Sequence, residues 1–301
     1  AYRCYQEGIF AMSPDGSNNE PDFSSWIGNT ETEYGLVSAY SANYFTATLD
    51  RDDPPFEDGD PLPPAWHYFY FHELVGLAET GEDGHRAKGS FMPPIPYPRR
   101  MWAGSKMIFD SPMRIGEKVR KVITIADVTI KDGASGPLCF VTTTEEVFGE
   151  DDRLTTTERR TQVYRNAANP NAPMPTPRPA PAEAVWSRTV HPSAVMLFRY
   201  SALTMNSHRI HYDKDYVRDV EGYPGLLVHG PLTMTMMLDL FRRELPSATV
   251  TEFDLRAVSP VYDTLDFTVH GAPGEDDGAC KLWAMTGEGA LAMTADVSFI
   301  D

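Results

Sequence analysis

Between Asn166 and Glu183 the chain reads NAANPNAPMPTPRPAPAE, with prolines at 170, 173, 175, 177, 179 and 181. Proline has no backbone N–H to donate and a fixed φ, so a run this dense can join neither a helix nor the interior of a sheet. It predicts an extended, semi-rigid strap over 166–183. The strap divides the chain into residues 22–165 and 184–301. At roughly 100–200 residues per domain, each stretch can bury a core of its own. Residues 1–21, with Ser-Pro-Asp-Gly and Ser-Asn-Asn-Glu-Pro turn signals, read as an irregular lead-in.

In the first half the acidic segment Asn29–Glu33 suits a helix start. Leu36, Val37, Tyr40, Tyr44 and Ala47 then recur at helical spacing. A second, apolar helix is expected over His67–Glu79. Strands are expected at Lys106–Phe109, Lys118–Lys131, Leu138–Phe148 and Thr155–Tyr164, where β-branched residues and alternation concentrate. The second half opens with a strand over Ala184–Val190, followed by a polar helix around Ser201–Tyr212. An apolar helix spans Pro231–Phe241, with Leu232, Met236 and Leu240 on one face. Strands follow at Thr249–Val258, Asp266–His270, Cys280–Met285 and Leu291–Phe299. Helix followed by strands, twice over, predicts an α+β chain in which an antiparallel sheet wraps a helix in each half. No residue-level repeat accompanies this duplicated layout.

The net charge of −17 argues against a nucleic-acid partner, which needs a basic face. It argues more weakly against an anionic membrane. No apolar run reaches the ~18 residues of a membrane span. Against the acidic background stand Arg86, Lys88, Arg99, Arg100, Arg114, Lys118, Arg120 and Lys121. Such a group either forms a local rim for a phosphorylated carrier or consists of separate solvated charges. Cys4, Cys139 and Cys280 form no C-x-x-C pair, so neither a zinc site nor a disulfide framework is indicated. A reducing compartment is expected: the cytoplasm, with the mitochondrial matrix as the alternative. No cofactor and no metal are expected.

The segment Phe198–Leu232 concentrates chemistry. Asn206, His208, His211 and His229 fall within it, beside Tyr200, Thr204, Asp213 and Asp215. Histidine is the side chain best suited to moving protons near neutral pH. His208 and His211 are three apart and would share a helix face. A metal pair there lacks a third ligand, and the zinc motif with histidines four apart is absent.

With Met205-Asn206-Ser207-His208-Arg209-Ile210-His211 standing where that family has Gly-Asp-x-Asn-Pro-Leu-His, the segment resembles the MaoC-like hydratases. These include R-specific enoyl-CoA hydratases and type 2 hydroxyacyl-thioester dehydratases. Val228-His229-Gly230 looks like the family's Ala-His-Gly turn. Gly89-Ser90-Phe91-Met92-Pro93-Pro94, Pro98-Arg99-Arg100-Met101-Trp102-Ala103-Gly104 and Lys131-Asp132-Gly133 with Ser135-Gly136-Pro137-Leu138 resemble mesaconyl-CoA-hydratase-like and fungal or mitochondrial dehydratase-like members. The likeness covers about 22–299.

The resemblance implies a double hot dog and a hydro-lyase acting on an acyl group carried by coenzyme A or an acyl carrier protein, with a homodimer as a possible assembly. It puts the catalytic histidine on His211, the family's catalytic aspartate on Asn206, and the N–H that binds the thioester oxygen on Gly230. Substrate contacts fall to Arg99, Arg100, Trp102, Tyr200, His208 and His229. Arg99 and Arg100 could equally pin loops through carbonyls, and His229 could shape its turn. An asparagine cannot accept a proton as a carboxylate does. A one-base scheme follows, with His211 cycling the proton and Asn206 holding the water or hydroxyl. Enolisation-driven cyclisation or other lyase chemistry on a polyketide-like or dicarboxylic substrate, and non-catalytic thioester binding, are the rival readings.

Overall fold

A computed structural model describes residues 22–133, 136–166 and 176–301. The expected lead-in at 1–21 and the strap's residues 167–175 lie outside the described residues. The end of the strap, 176–183, is exposed and irregular, and the Arg178 carbonyl accepts the Leu291 N–H.

Ten antiparallel strands form one sheet in the order β1-β3-β4-β5-β2-β7-β10-β9-β8-β6. The first five are β1 (Thr30–Leu36), β2 (Arg99–Phe109), β3 (Lys118–Gly133), β4 (Gly136–Phe148) and β5 (Leu154–Arg165). The second five are β6 (Trp186–Val190), β7 (Thr249–Ala257), β8 (Phe267–Pro273), β9 (Ala279–Met285) and β10 (Leu291–Ile300). Within each set the spatial order is the same, first-third-fourth-fifth-second, so the duplication that residues conceal is explicit in topology. The halves join where β2 pairs with β7, from Gly104↔Arg256 to Ile108↔Glu252. Lys106 and Glu252 form an ion pair across this seam at 2.7 Å. Glycine is required at 104 because a Cβ would strike the Leu255 carbonyl.

Each first strand leads into a helix, α1 (Ala39–Thr48) in one half and α2 (Ala194–Thr204) in the other. Serines cap both. Ser38 Oγ accepts the Tyr40 N–H at 3.1 Å, and Ser193 Oγ accepts the Met196 N–H at 3.2 Å. The acidic segment 29–33 starts a strand, not a helix. Thr30, Thr32 and Tyr34 face outward, while Glu31 and Glu33 turn inward to Arg86 and Lys121, each at 2.9 Å. In α1 the buried face is Ala42, Phe45 and Thr46; Tyr40 and Tyr44 face solvent.

The central helix of the second half is α4 (Gly230–Glu244), with Pro231 in its first turn and Arg242 and Arg243 in its last. Every residue from Leu232 to Phe241 is buried, because β6, β8 and β9 curve around it. Its buried carboxylate, Asp239, is held by Arg188 and Arg243 and, from the first half, by Arg51 at 2.7 Å. A buried anion needs such partners.

Among the described residues the first half has no such helix. The apolar helix expected over 67–79 is replaced by two 3-10 turns, Trp66–Phe69 and Leu77–Glu79, in an otherwise irregular segment. Leu74 and Leu77 are exposed, so no helical face exists to bury. Phe45 instead meets Trp66 edge-on and Phe69 at a tilt, and Phe45 and Phe69 both reach Tyr200 of α2 edge-on.

Candidate active site

The polar helix expected around Ser201–Tyr212 lies further upstream, as α2. It ends at Met205, whose φ of 50° turns the chain left-handed. Asn206 Oδ1 then accepts the His208 N–H at 3.0 Å, a turn that Asn favours. A 3-10 turn follows over Arg209–His211. His208 precedes that turn, so it meets His211 edge to face at 5.6 Å between ring centres and not along a helix face. Asp213 holds the exit. It accepts the Tyr216 N–H at the start of the short α3 (Lys214–Tyr216) and pairs with Arg209 at 2.8 Å.

Backbone from the first half clamps this loop. The Arg209 N–H donates to the Asp83 carbonyl at 2.9 Å, the Arg209 guanidinium to the Glu82 carbonyl at 3.1 Å, and Ser207 Oγ to the Gly84 carbonyl. Gly84 has φ +88° and lies so close to the Ser207 carbonyl that any Cβ would collide with it.

His211 is buried, and its Nδ1 donates to the Leu227 carbonyl at 2.8 Å. That bond selects the tautomer whose Nε2 carries the free lone pair. The ring stacks on His229 at 3.7 Å and 19°. Burial pushes the His211 pKa down to about 4 despite the opposing help of the Leu227 carbonyl. His208 is held down to about 3 by burial, then by His211 and Arg100. His229 is fully buried, shares a 2.8 Å hydrogen bond with Ser201 through Nε2, and leaves Nδ1 without a partner. Behind it lies Tyr200, 4.8 Å between ring centres and in the core. Tyr200 and His229, expected as substrate contacts, are both buried, His229 against the His211 ring and Tyr200 against His229. His85 extends the row from the first half, 4.4 Å from His208. Sequence reasoning missed it, since nothing local links residue 85 to residue 208.

Gly230 begins α4 directly after His229. A Cβ there would sit 2.7 Å from Cε3 of Trp102. The glycine is therefore required by an indole from the other half. Trp102 Nε1 donates to Ser105 Oγ at 3.0 Å, and Ser105 donates to the fully buried Glu158. Glu158 also accepts from Tyr68 at 2.8 Å and Arg160 at 3.0 Å. Arg99 donates to the Glu221 carbonyl at 2.6 Å and lies over the Tyr223 ring, so its guanidinium is engaged with protein where a substrate contact was expected. Arg100 has Asp83 at 3.8 Å, and its charge is felt by His85 and His208. Among the described residues no set of three or more His, Cys, Asp or Glu is arranged to hold a metal ion.

The family model for hydroxyacyl-thioester dehydratase type 2 matches residues 65–263. The chain is 40% identical over 279 residues to the mesaconyl-C(4)-CoA hydratase of Chloroflexus aurantiacus, covering 92% of this chain and 97% of that one. It is 26% identical over 225 residues to the mitochondrial hydroxyacyl-thioester dehydratase type 2 of Schizosaccharomyces pombe, covering 67% and 74%. In fold it is similar to a MaoC-like dehydratase, with TM-score 0.67, 13% identity, and 91% and 98% of the two chains covered. It is also similar to a Mycobacterium tuberculosis protein described as a double hot dog, with TM-score 0.55, 13% identity and 91% and 96% covered. The repeated strand order and the helix wrapped by the second half are that double hot dog, and the chain belongs to the hydroxyacyl-thioester dehydratase type 2 family.

Proposed function

We propose that this protein is a hydro-lyase that adds water across, or removes it from, the α–β bond of an acyl thioester, with His211 Nε2 as the atom that carries the proton. The observation that carries the reading is the 2.8 Å bond from His211 Nδ1 to the Leu227 carbonyl in a buried ring stacked on His229. It leaves one basic nitrogen, in a ring that burial keeps neutral at pH 7. In dehydration Nε2 takes the α proton, and the electron pair moves into the thioester carbonyl as an enolate. The Gly230 N–H, at the start of α4, stabilises the oxygen. The enolate then expels the β-hydroxyl, which leaves as water with the proton returned by His211. Hydration runs the same steps backwards. Asn206, with Oδ1 fixed by the His208 N–H, keeps its amide N–H groups to hold the water or hydroxyl oxygen.

The carrier is coenzyme A or an acyl carrier protein. Having a mesaconyl-C(4)-CoA hydratase among its relatives makes a short enoyl-CoA the first substrate to assay. We place the protein in the cytoplasm, with the mitochondrial matrix, where the fission-yeast relative belongs by name, as the alternative. None of the described helices is long and apolar enough to cross a membrane. A homodimer would use a surface other than the β2–β7 seam, which is already paired within the chain, and light scattering decides whether it forms. The test of function is a panel of 3-hydroxyacyl and 2-enoyl thioesters followed by the mass change of one water. His211→Ala should lower kcat by about 100-fold to 10,000-fold with the fold retained. A variant with near-normal kcat refutes the assignment.

A further inference from the structure

Among the described residues the His211 ring makes one hydrogen bond, from Nδ1 to the Leu227 carbonyl at 2.8 Å. Rotation of an imidazole about its Cβ–Cγ bond is only broadly two-fold, so a single bond leaves the ring plane free to rock. Two neighbouring rings restrict it. His208, from the same loop, meets it edge to face at 5.6 Å, and His229 lies nearly parallel to it at 3.7 Å and 19°. Only His229 is close and flat enough to fix the plane.

His229 is itself held from two helices. Its Nε2 shares a 2.8 Å hydrogen bond with Ser201 Oγ on α2, and its carbonyl accepts the Thr233 N–H at 3.0 Å in the first turn of α4. Ser201 has a second tie to the site, because its carbonyl accepts the Asn206 N–H at 2.9 Å. One residue of α2 thus holds both the ring stacked on His211 and the start of the loop that carries Asn206. His229 Nδ1, by contrast, is buried with no hydrogen-bond partner among the described residues. Such a nitrogen lowers stability, and a phenylalanine would fill similar space without it. Packing alone therefore does not account for a histidine here. The Ser201 bond does, since phenylalanine cannot make it.

The titratable groups around the pair are His208, Tyr200 of α2 against His229, and His85 of the first half, with the Arg100 charge acting on His85 and His208. Among the described residues no carboxylate hydrogen-bonds to either ring of the pair. Burial holds His229 well below the ordinary histidine range, and a proton on His211 pushes it lower still. When His211 takes up a proton, the new charge meets a neutral aromatic face and not a second cation.

We propose that His229 and Ser201 are positioning residues, Ser201 fixing the His229 ring and that ring holding the His211 imidazole in the plane that aims Nε2 at the reacting carbons, with water kept off the face it covers. This rests on the lyase reading above and adds two residues that act through His211 without touching the substrate.

The test combines kinetics on crotonyl-CoA with histidine 15N spectra of the full chain at pH 7. His229→Ala should lower kcat by about 100-fold with KM changed a few-fold, the cost of a reacting group displaced by roughly 1 Å. The acid limb of kcat/KM should also rise from about pH 4 toward 6.5, because water entering the vacated space relieves the burial that depresses His211. His229→Phe restores a flat ring and should recover at least ~10-fold of the lost kcat with the limb kept low. Ser201→Ala, at a half-buried helix position that alanine suits, carries the test if His229→Ala fails to fold. It should lower kcat by about 10-fold and turn His211 from the single Nδ1–H tautomer of the wild type into a mixture. A Ser201→Ala enzyme with wild-type kcat and one His211 tautomer overturns the proposal. So does a His229→Ala enzyme that loses kcat with its acid limb unmoved, which is the mark of a merely structural role, or a His229→Phe enzyme no better than His229→Ala. Either result beside wild-type hydration of crotonyl-CoA leaves the lyase reading standing. Mixed His211 tautomers in Ser201→Ala, with no water gained or lost by the wild type on any enoyl thioester, support the positioning and remove the lyase reading.

Discussion

Gly230→Ala is the sharpest structural test of the proposed thioester-oxygen donor. The new Cβ would lie 2.7 Å from Cε3 and 3.3 Å from Cζ3 of Trp102. Carbon atoms pack best at about 3.5–4.0 Å, so ring or backbone must give by roughly 0.8 Å. The indole is not free to swing, because Nε1 donates to Ser105 Oγ, which is anchored on buried Glu158. The first turn of α4 must move instead, carrying the Gly230 N–H away from the oxygen it would stabilise. A displacement near 1 Å in a positioning group costs about 100-fold, in the range seen when an oxyanion donor is removed. The loss should fall on kcat, with KM changed a few-fold. Overpacking should also lower stability by about 1–3 kcal/mol, which thermal melting would report. Adding Trp102→Leu removes the obstructing ring and should recover at least ~10-fold of the lost kcat. A Gly230→Ala enzyme with unchanged kcat refutes the donor assignment. A double variant no better than the single refutes the route through Trp102.

Asn206→Ala should lower kcat by about 10-fold or more because the bound water loses a partner. Asn206→Asp should retain or raise hydration of simple enoyl-CoAs and add an ionisation to the pH–rate profile, and an unaltered profile would count against a second acid–base group. Burial depresses the pKa of His211 from 6.5 to about 4, so the acid limb of kcat/KM should lie well below pH 6.5; a limb at 6.5 would show that burial does not govern the base. By linkage the unfolded chain binds more protons at this site between those two values. Stability is therefore full above pH 6.5 and falls as pH drops toward 4, which Tm measured against pH would show. A fragment of residues 184–301 should be inactive and poorly soluble, since β7 would lose β2 and the His208–His211 loop would lose its clamp, and co-expression with residues 1–165 should restore some turnover.

The strands were legible because their pattern is local. The alternation in 118–131, 138–148 and 155–164 reports which side of a sheet is buried, and each run became a strand a few residues longer. The helix at 231–241 was equally plain. The errors occur where distant partners decide. Glu31 and Glu33 suit a helix N-terminus in isolation, but Arg86 and Lys121 draw them into a strand. His67–Glu79 is apolar enough for a helix, yet no concave face receives it. At the site, the His211 position came from motif spacing. The His229 ring stacked on it, the Tyr200 ring tilted against His229, the ring of His85 beside His208, and the indole against Gly230 join residues from separate parts of the chain, which no window of residues reports.

The absent helix of the first half bears directly on the site. In the second half the segment between the first helix and the second strand contains α4, the helix its sheet wraps. In the first half the matching segment, between α1 and β2, is not consumed by a helix and is left to cross the seam. On the way His72 donates to the Leu203 carbonyl at 2.9 Å, Asp83 and Gly84 grip the loop at 207–209, and His85 joins the histidine row. The segment then enters β2, which delivers Arg99, Arg100 and Trp102 against the other half. Phe45, Trp66 and Phe69 cluster together in the first half, and the charges of Lys121, Glu145, Arg160 and Glu158 pair with one another. The two halves thus share a strand order and differ in what fills the segment before the second strand. One half holds the wrapped helix and the histidine proposed to move the proton, and in the other the matching stretch of chain builds the wall facing it.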